Sequence, residues 1–136
     1  MGVQYLPDTN VLVHLVRRDA TGDYINRAYK PFLADPRPLI SIVTDGELRS
    51  LSYQWHWGRQ NLEQMCFVLG YFDRAPLDTE DMLDTYAVID AYSEQVGRSM
   101  GKNDAWIAAT ASVSDARLLT TDRDFLHLSP TFLSVS

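Results

Sequence analysis

Four acids, Asp8, Glu47, Asp104 and Asp122, stand where apolar segments give way to turns or helix starts. Asp8 closes Val3-Gln4-Tyr5-Leu6-Pro7, Glu47 follows Leu39-Ile40-Ser41-Ile42-Val43, and Asp122 follows Arg117-Leu118-Leu119-Thr120-Thr121. Three of the four therefore lie just past a predicted strand, and Asp104 opens an alanine-rich helix. In an open parallel sheet, ligands bind outside the carboxyl ends of the strands, so side chains distant in sequence meet at one edge. Carboxylates gathered there repel one another; unless one takes up a proton, they need a cation to stay ionised together. A donor set of oxygens alone, without sulfur or imidazole, suits Mg²⁺ or Mn²⁺.

Each acid also has a structural role open to it. All four lie near helix starts, where Asp, Asn, Ser and Thr cap free N–H groups and negative charge meets the positive end of the helix dipole. Thr44-Asp45-Gly46-Glu47 fits a capping box with Thr44 at the cap, and Thr121-Asp122-Arg123-Asp124 offers a similar pattern. Capping, however, is indifferent to strand order. These acids recur at the sheet edge with Thr9, Asn10, Asn103, Thr121 and Asp124 beside them. Such groups hold the waters that help complete a divalent ion's shell of about six oxygens. Asp45 competes with Glu47, because two residues apart on a helix they point roughly 200° apart and only one faces the site. The longer Glu47 is assigned to the site and Asp45 to the cap; Asp124 is assigned to support Asp122.

The elements that must position these acids cover the whole chain. At 136 residues, 46% hydrophobic and 22% charged, it reads as one globular domain, residues 1–136, with a core of its own. Helices are predicted over Asn10–Arg18 and Asp23–Ala34, with Pro31 shortening or kinking the second. Two more, broken near Gly58, fill Asp45–Tyr71. A longer one opens at Asp78-Thr79-Glu80, offers Met82, Leu83, Tyr86, Ile89 and Val96 for burial, and ends near Gly97. Asn103 or Asp104 opens the next, and Thr131–Val135 is a final edge strand. Strands alternating with helices predict an α/β fold with a parallel sheet and right-handed crossovers.

No signal-peptide pattern and no apolar run near the ~20 residues of a membrane span is present, so the expected location is cytoplasmic. Cys66 reads as a small buried hydrophobe. His14, His56 and His127 are too dispersed for a zinc site, and Trp55 and Trp57, which cannot share one face of a helix, leave at least one ring exposed or at an interface. Arg49, Arg59, Lys102 and Arg123 lie near the acids in sequence, where ion pairing or solvation competes with phosphate binding. The net charge of −6 argues against binding nucleic acid through basic surface, but two divalent cations at the acidic edge would bring it to about −2 and attract a phosphodiester themselves.

With these segments in view, the chain resembles the PIN-domain ribonucleases, and among them the VapC-type toxins of toxin–antitoxin pairs. The resemblance is carried by Leu6-Pro7-Asp8-Thr9-Asn10-Val11-Leu12, Ser41-Ile42-Val43-Thr44-Asp45-Gly46-Glu47-Leu48, Lys102-Asn103-Asp104-Ala105-Trp106-Ile107-Ala108-Ala109 and Leu118-Leu119-Thr120-Thr121-Asp122-Arg123-Asp124-Phe125. It implies an α/β/α sandwich around a parallel sheet of four to five strands, and Mg²⁺ or Mn²⁺ held by Asp8, Glu47, Asp104 and Asp122, supported by Asn10 and Thr121. It also implies endonucleolytic cleavage of RNA, with tRNA the first substrate to try, a homodimer and a VapB-like antitoxin. Attack by metal-activated water would leave 5'-phosphate and 3'-hydroxyl ends.

Two other classes compete. A phosphoaspartate protein also places acids at strand ends with Mg²⁺, but the phosphatase pattern wants an aspartate where this chain has Asn10, and a receiver domain wants a lysine after a late strand, where this chain has none. A non-catalytic binding module would use the acids only as caps.

Overall fold

Leu118 and Leu119 are neighbours in one strand, yet they enter different cores, because successive side chains in a strand point to opposite faces of the sheet. That alternation divides the molecule into three layers. The computed structural model describes residues 2–136. Its strands are β1 (Tyr5–Pro7), β2 (Leu39–Ser41), β3 (Asp73–Ala75), β4 (Arg117–Leu119) and β5 (Ser134–Val135). Its helices are α1 (Thr9–Arg17), α2 (Ala20–Tyr29), α3 (Ile42–Gln54), α4 (Arg59–Tyr71), α5 (Glu80–Gln95) and α6 (Lys102–Val113), with a 3₁₀ segment at Arg123–Leu128.

All the strand pairs are parallel: β1 with β4, β4 with β5, and β2 with β3. The ladders form one sheet in the order β1-β4-β5 and a two-stranded sheet β2-β3, and β2 lies beside β1. β1 thus lies between β2 and β4. On one side, Leu6 and Leu118 pack with Met82, Ile89, Ile107, Phe125 and Leu128 from α5, α6 and the 3₁₀ segment. On the other, Ile40 and Leu119 pack with Val11, Leu12, Leu48 and Val68 from α1, α3 and α4 and with Phe72, which caps α4. Ala105, Ala108, Ala109 and Ala111 are all buried, the small side chains letting α6 lie close to the sheet and to α5.

Several local expectations are corrected. The apolar run through Ile42 and Val43 does not stay extended: β2 ends at Ser41, whose hydroxyl accepts from the Val43 amide and starts α3 at once. Ser41 is therefore the cap in place of Thr44 or Asp45. The second helix spans Ala20–Tyr29, because Asp19 caps it by accepting from the Gly22 amide. Gly101 precedes α6, so Asn103 and Asp104 lie in its first turn, and only Ser134–Val135 of the terminal segment forms a strand. β3 carries exposed Asp73 and Arg74 and had no apolar signature to reveal it. Cys66, Leu83 and Val96 are exposed where burial was expected. Trp55 and Trp57 lie past the end of α3, with ring centroids 6.0 Å apart, so helix geometry does not separate them, although Trp55 is exposed as expected.

At the α1–α2 corner the two helices approach closely enough to leave no room for a side chain. A Cβ on Gly22 would stand 2.2 Å from the His14 carbonyl oxygen, which is backbone and cannot swing aside. Gly22→Ala is expected to destabilise the protein by about 1–3 kcal/mol, the range for overpacked sites, read as a lower midpoint in urea unfolding at unchanged slope.

Candidate metal centre

The acidic edge is built from the junction of β1 and β4. Their register pairs Pro7 with Leu119, and the Asp8 amide continues the ladder by donating to the Leu119 carbonyl at 3.0 Å. This places Asp8 beside Thr120, whose hydroxyl donates to Asp8 Oδ2. Asp8 Oδ1 accepts from the Val11 amide at 2.9 Å, so the same carboxylate caps α1. It is only 3% exposed.

Glu47 reaches the edge from the second turn of α3. Its Oε1 accepts from the Thr9 hydroxyl at 2.6 Å, and its Oε2 from Asn103 Nδ2 at 2.9 Å. Thr9 follows Asp8 and Asn103 precedes Asp104, so Glu47 bridges the starts of α1 and α6. Asp122 caps the 3₁₀ segment, its Oδ1 accepting from the Asp124 amide at 2.9 Å, while its own amide donates to Thr120 Oγ1 at 2.9 Å. Thr120 therefore holds Asp8 and Asp122 together through one hydroxyl.

Asp104 has no hydrogen-bond partner among the described residues, and its carboxyl registers the whole cluster. Burial first, and then the charges of Asp122, Glu47, Asp8 and Asp124, together raise it to about 6. Burial also raises Asp8, against the opposing hydrogen bonds from Thr120 and Val11, with the charges of Asp122 and Glu47 adding to the rise. The edge thus brings together Asp8, Glu47, Asp104 and Asp122, with Asp124 at its margin. Among the described residues, no three Asp, Glu, His or Cys side chains already surround one point as a finished ligand cage. The residues fit a hard divalent ion by their all-oxygen chemistry and by the unrelieved repulsion among their charges.

Asp45 points away from this edge. Its two oxygens are taken by Arg49 Nε and, at 3.0 Å, by Arg74 Nη1, which ties α3 to β3. Asn10 and Thr121 are exposed and make no side-chain hydrogen bond among the described residues, whereas Thr120, Thr9 and Asn103 contact the acids directly. Thr120 is the site residue that sequence reasoning does not find. It lies one position after the strand, where its side chain falls beside that of the adjacent strand's Asp8, and this register is its only sequence signal. From Glu47 and Asn103 a recess of about 530 Å³ runs along α3 past Ser50 and Gln54.

The sequence matches the PIN domain family over residues 5–129, and the chain belongs to that family, whose members are generally nucleases. Solved structures share the fold. VapBC2 from Rickettsia felis, bound to a DNA fragment from its promoter, aligns with a TM-score of 0.79 at 21% identity, covering 98% of both chains. VapBC-1 from nontypeable Haemophilus influenzae gives 0.78 at 22% identity, covering 98% of this chain and 97% of the other. VapBC-5 from Mycobacterium tuberculosis, a toxin–antitoxin system, gives 0.70 at 24%, covering 99% and 97%. A search of curated protein sequences gives no significant match. No helix among the described residues is long and apolar enough to cross a membrane.

The raised Asp104 carboxyl has a thermodynamic consequence in metal-free protein. Between its ordinary value of 3.8 and about 6 the folded state binds the proton more readily than the unfolded state, so this group's contribution to stability falls as pH rises through that window. At pH 7.5 the ionised Asp104 is a cost that Asn removes; below pH 3.8 both states are protonated and the difference vanishes. Asp104→Asn in EDTA is therefore expected to raise Tm at pH 7.5, with the gain shrinking steadily on acidification, as followed by circular dichroism melts.

Proposed function

We propose that this chain is a divalent-metal-dependent endoribonuclease and the toxin of a VapBC-type toxin–antitoxin pair. The observation that carries the reading is the meeting of Asp8, Glu47, Asp104 and Asp122 at one edge of a PIN fold, with Thr9, Asn103 and Thr120 orienting the first two. Mg²⁺ or Mn²⁺ bound by these four acids would supply Lewis acidity, activating water and offsetting phosphate charge.

The chain's own groups set the geometry of that chemistry. Thr120 and the Val11 amide fix the Asp8 carboxylate plane, and Thr9 and Asn103 hold Glu47 extended over the start of α6. Asp104, without a hydrogen-bond partner of its own, presents free oxygens to the space the other acids border. Water as nucleophile leaves the RNA 2'-hydroxyl out of the reaction, and the products are 5'-phosphate and 3'-hydroxyl ends.

A VapB-like antitoxin is the partner this reading assigns, supported by the VapBC assemblies that share the fold. Exposed Leu83 and Val88 on α5 and Val113 at the end of α6 offer apolar surface for the homodimer it also assigns. The site of action is the cytoplasm, and tRNA is the first substrate to test.

Antitoxin-free protein incubated with tRNA and total RNA should yield discrete fragments in Mg²⁺ or Mn²⁺, none in EDTA, and none with Asp8→Asn. Cyclic phosphate ends, or full activity of Asp8→Asn, would refute the mechanism. Thr120→Val removes the hydroxyl that joins Asp8 to the Asp122 amide; steady-state kinetics should show kcat lower by about 10- to 100-fold, the usual cost of losing a group that orients a metal ligand, with KM for RNA little changed.

A further inference from the structure

An edge with four carboxylates repels every phosphate of an RNA strand that is not itself neutralised by bound cation, so a nuclease built on it needs positive charge at its border. The basic groups nearest to Glu47 and Asp104 in sequence do not supply it: Arg49 is tied to Asp45, and Lys102 to Asp90 at 3.0 Å. On the Asp122 side the situation differs. Arg98, Ser99, Arg123, Asp124 and His127 line a recess of about 790 Å³. Asp124 belongs to both regions, since its charge acts on Asp104 while its side chain lines the recess.

The two guanidinium groups are mounted on backbone held firmly in place. After α5 the chain turns at Gly97, with φ +74°; the Gly97 amide donates to the Glu94 carbonyl at 3.2 Å and the Arg98 amide to the Ser93 carbonyl at 2.8 Å. This is the paired closure of a helix end that favours glycine, and it sets the direction in which Arg98 leaves α5. Arg123 follows the cap residue Asp122 at the start of the 3₁₀ segment. Ser93 Oγ and His127 Nε2, 2.8 Å apart, join the two walls, and the Tyr92 ring lies parallel to the His127 ring. Neither Arg98 nor Arg123 forms an ion pair among the described residues, although Asp124 lines the same recess. Their donors are left free, and a guanidinium presents them in the fork that matches phosphate oxygens.

We propose that Arg98 and Arg123 form a phosphate-binding subsite that holds a backbone phosphate of the RNA strand next to the one cleaved, an inference that rests on the nuclease reading above. It makes the recess the exit or entry of the strand and gives substrate affinity a component separate from the metal-binding acids.

The test uses fluorescence anisotropy of a labelled short single-stranded RNA with the full chain carrying Asp8→Asn, so that no cleavage intervenes. R98Q/R123Q in that background should weaken binding about tenfold or more at low salt. The slope of log K against log[KCl] should fall by about 0.7, the increment for the one single-strand phosphate that the two arginines neutralise. R117Q, at the opposite end of β4, should leave both unchanged, and R98K/R123K should restore the slope. In Asp8-intact protein R98Q/R123Q should raise KM while kcat holds. The subsite is refuted if the wild type cleaves RNA and R98Q/R123Q keeps the parent affinity, slope and KM, or if the loss appears only with duplex DNA; the nuclease reading then stands. Absence of both cleavage and RNA binding in the parent protein would overturn the two together.

Discussion

The Asp8 carboxylate is the point on which the acidic edge is assembled. One oxygen closes the first turn of α1 and the other receives the hydroxyl of Thr120, so a single buried group joins the end of β1, the start of α1 and the end of β4. The Asp8 amide extends the same ladder to Leu119. Thr120 passes the constraint on to the Asp122 amide, and Thr9, the next residue after Asp8, passes it to Glu47. Burial makes this anchor costly for an ionised group, which the two hydrogen bonds offset only in part. The arrangement is thus fixed in shape and unfavourable in charge, the condition under which a cation has most to contribute.

Asp45 shows what the fold does with an acid it does not use at the edge. It is as buried as Asp8, yet two guanidinium groups pair with its oxygens. The contrast lies within three residues of one helix. Glu47, two positions on, receives only neutral donors, a threonine hydroxyl and an asparagine amide, which orient a carboxylate without cancelling its charge. The same economy appears at Asp122, which receives a backbone amide and remains free to act on Asp104.

How far this is legible in the sequence depends on the kind of signal. The layered α/β plan follows from apolar runs alternating with helical spacing, and the two helices broken near Gly58 are present as expected. The β2–α3 junction escapes such a reading because Ile42 and Val43 are strand formers by type, and only the capping hydroxyl of Ser41 turns them into helix. β3 is short, lies at the border of its sheet and carries polar residues, so hydropathy cannot mark it. The acids stand out as recurring residue types; Thr120, set by register between strands more than a hundred residues apart, does not. Capping and clustering are rival explanations for the acids in the bare sequence, and the structure shows that Asp8 and Asp122 do both.

Ser41 serves at once as the last residue of β2 and the cap of α3, leaving no connecting loop between them. The angular position of Glu47 is therefore geared directly to the sheet: an inserted or deleted residue after Ser41 would turn it by ~100° about the helix axis and carry it off Thr9 and Asn103. Segments such as Lys30–Pro38 and Trp55–Gly58, which lie between elements, carry no such gearing. Length drift in descendants of this chain should accumulate in those connections and be purged at the strand–helix joint, so the spacing from β2 to Glu47 is a better marker of descent than the identity of the residues within it.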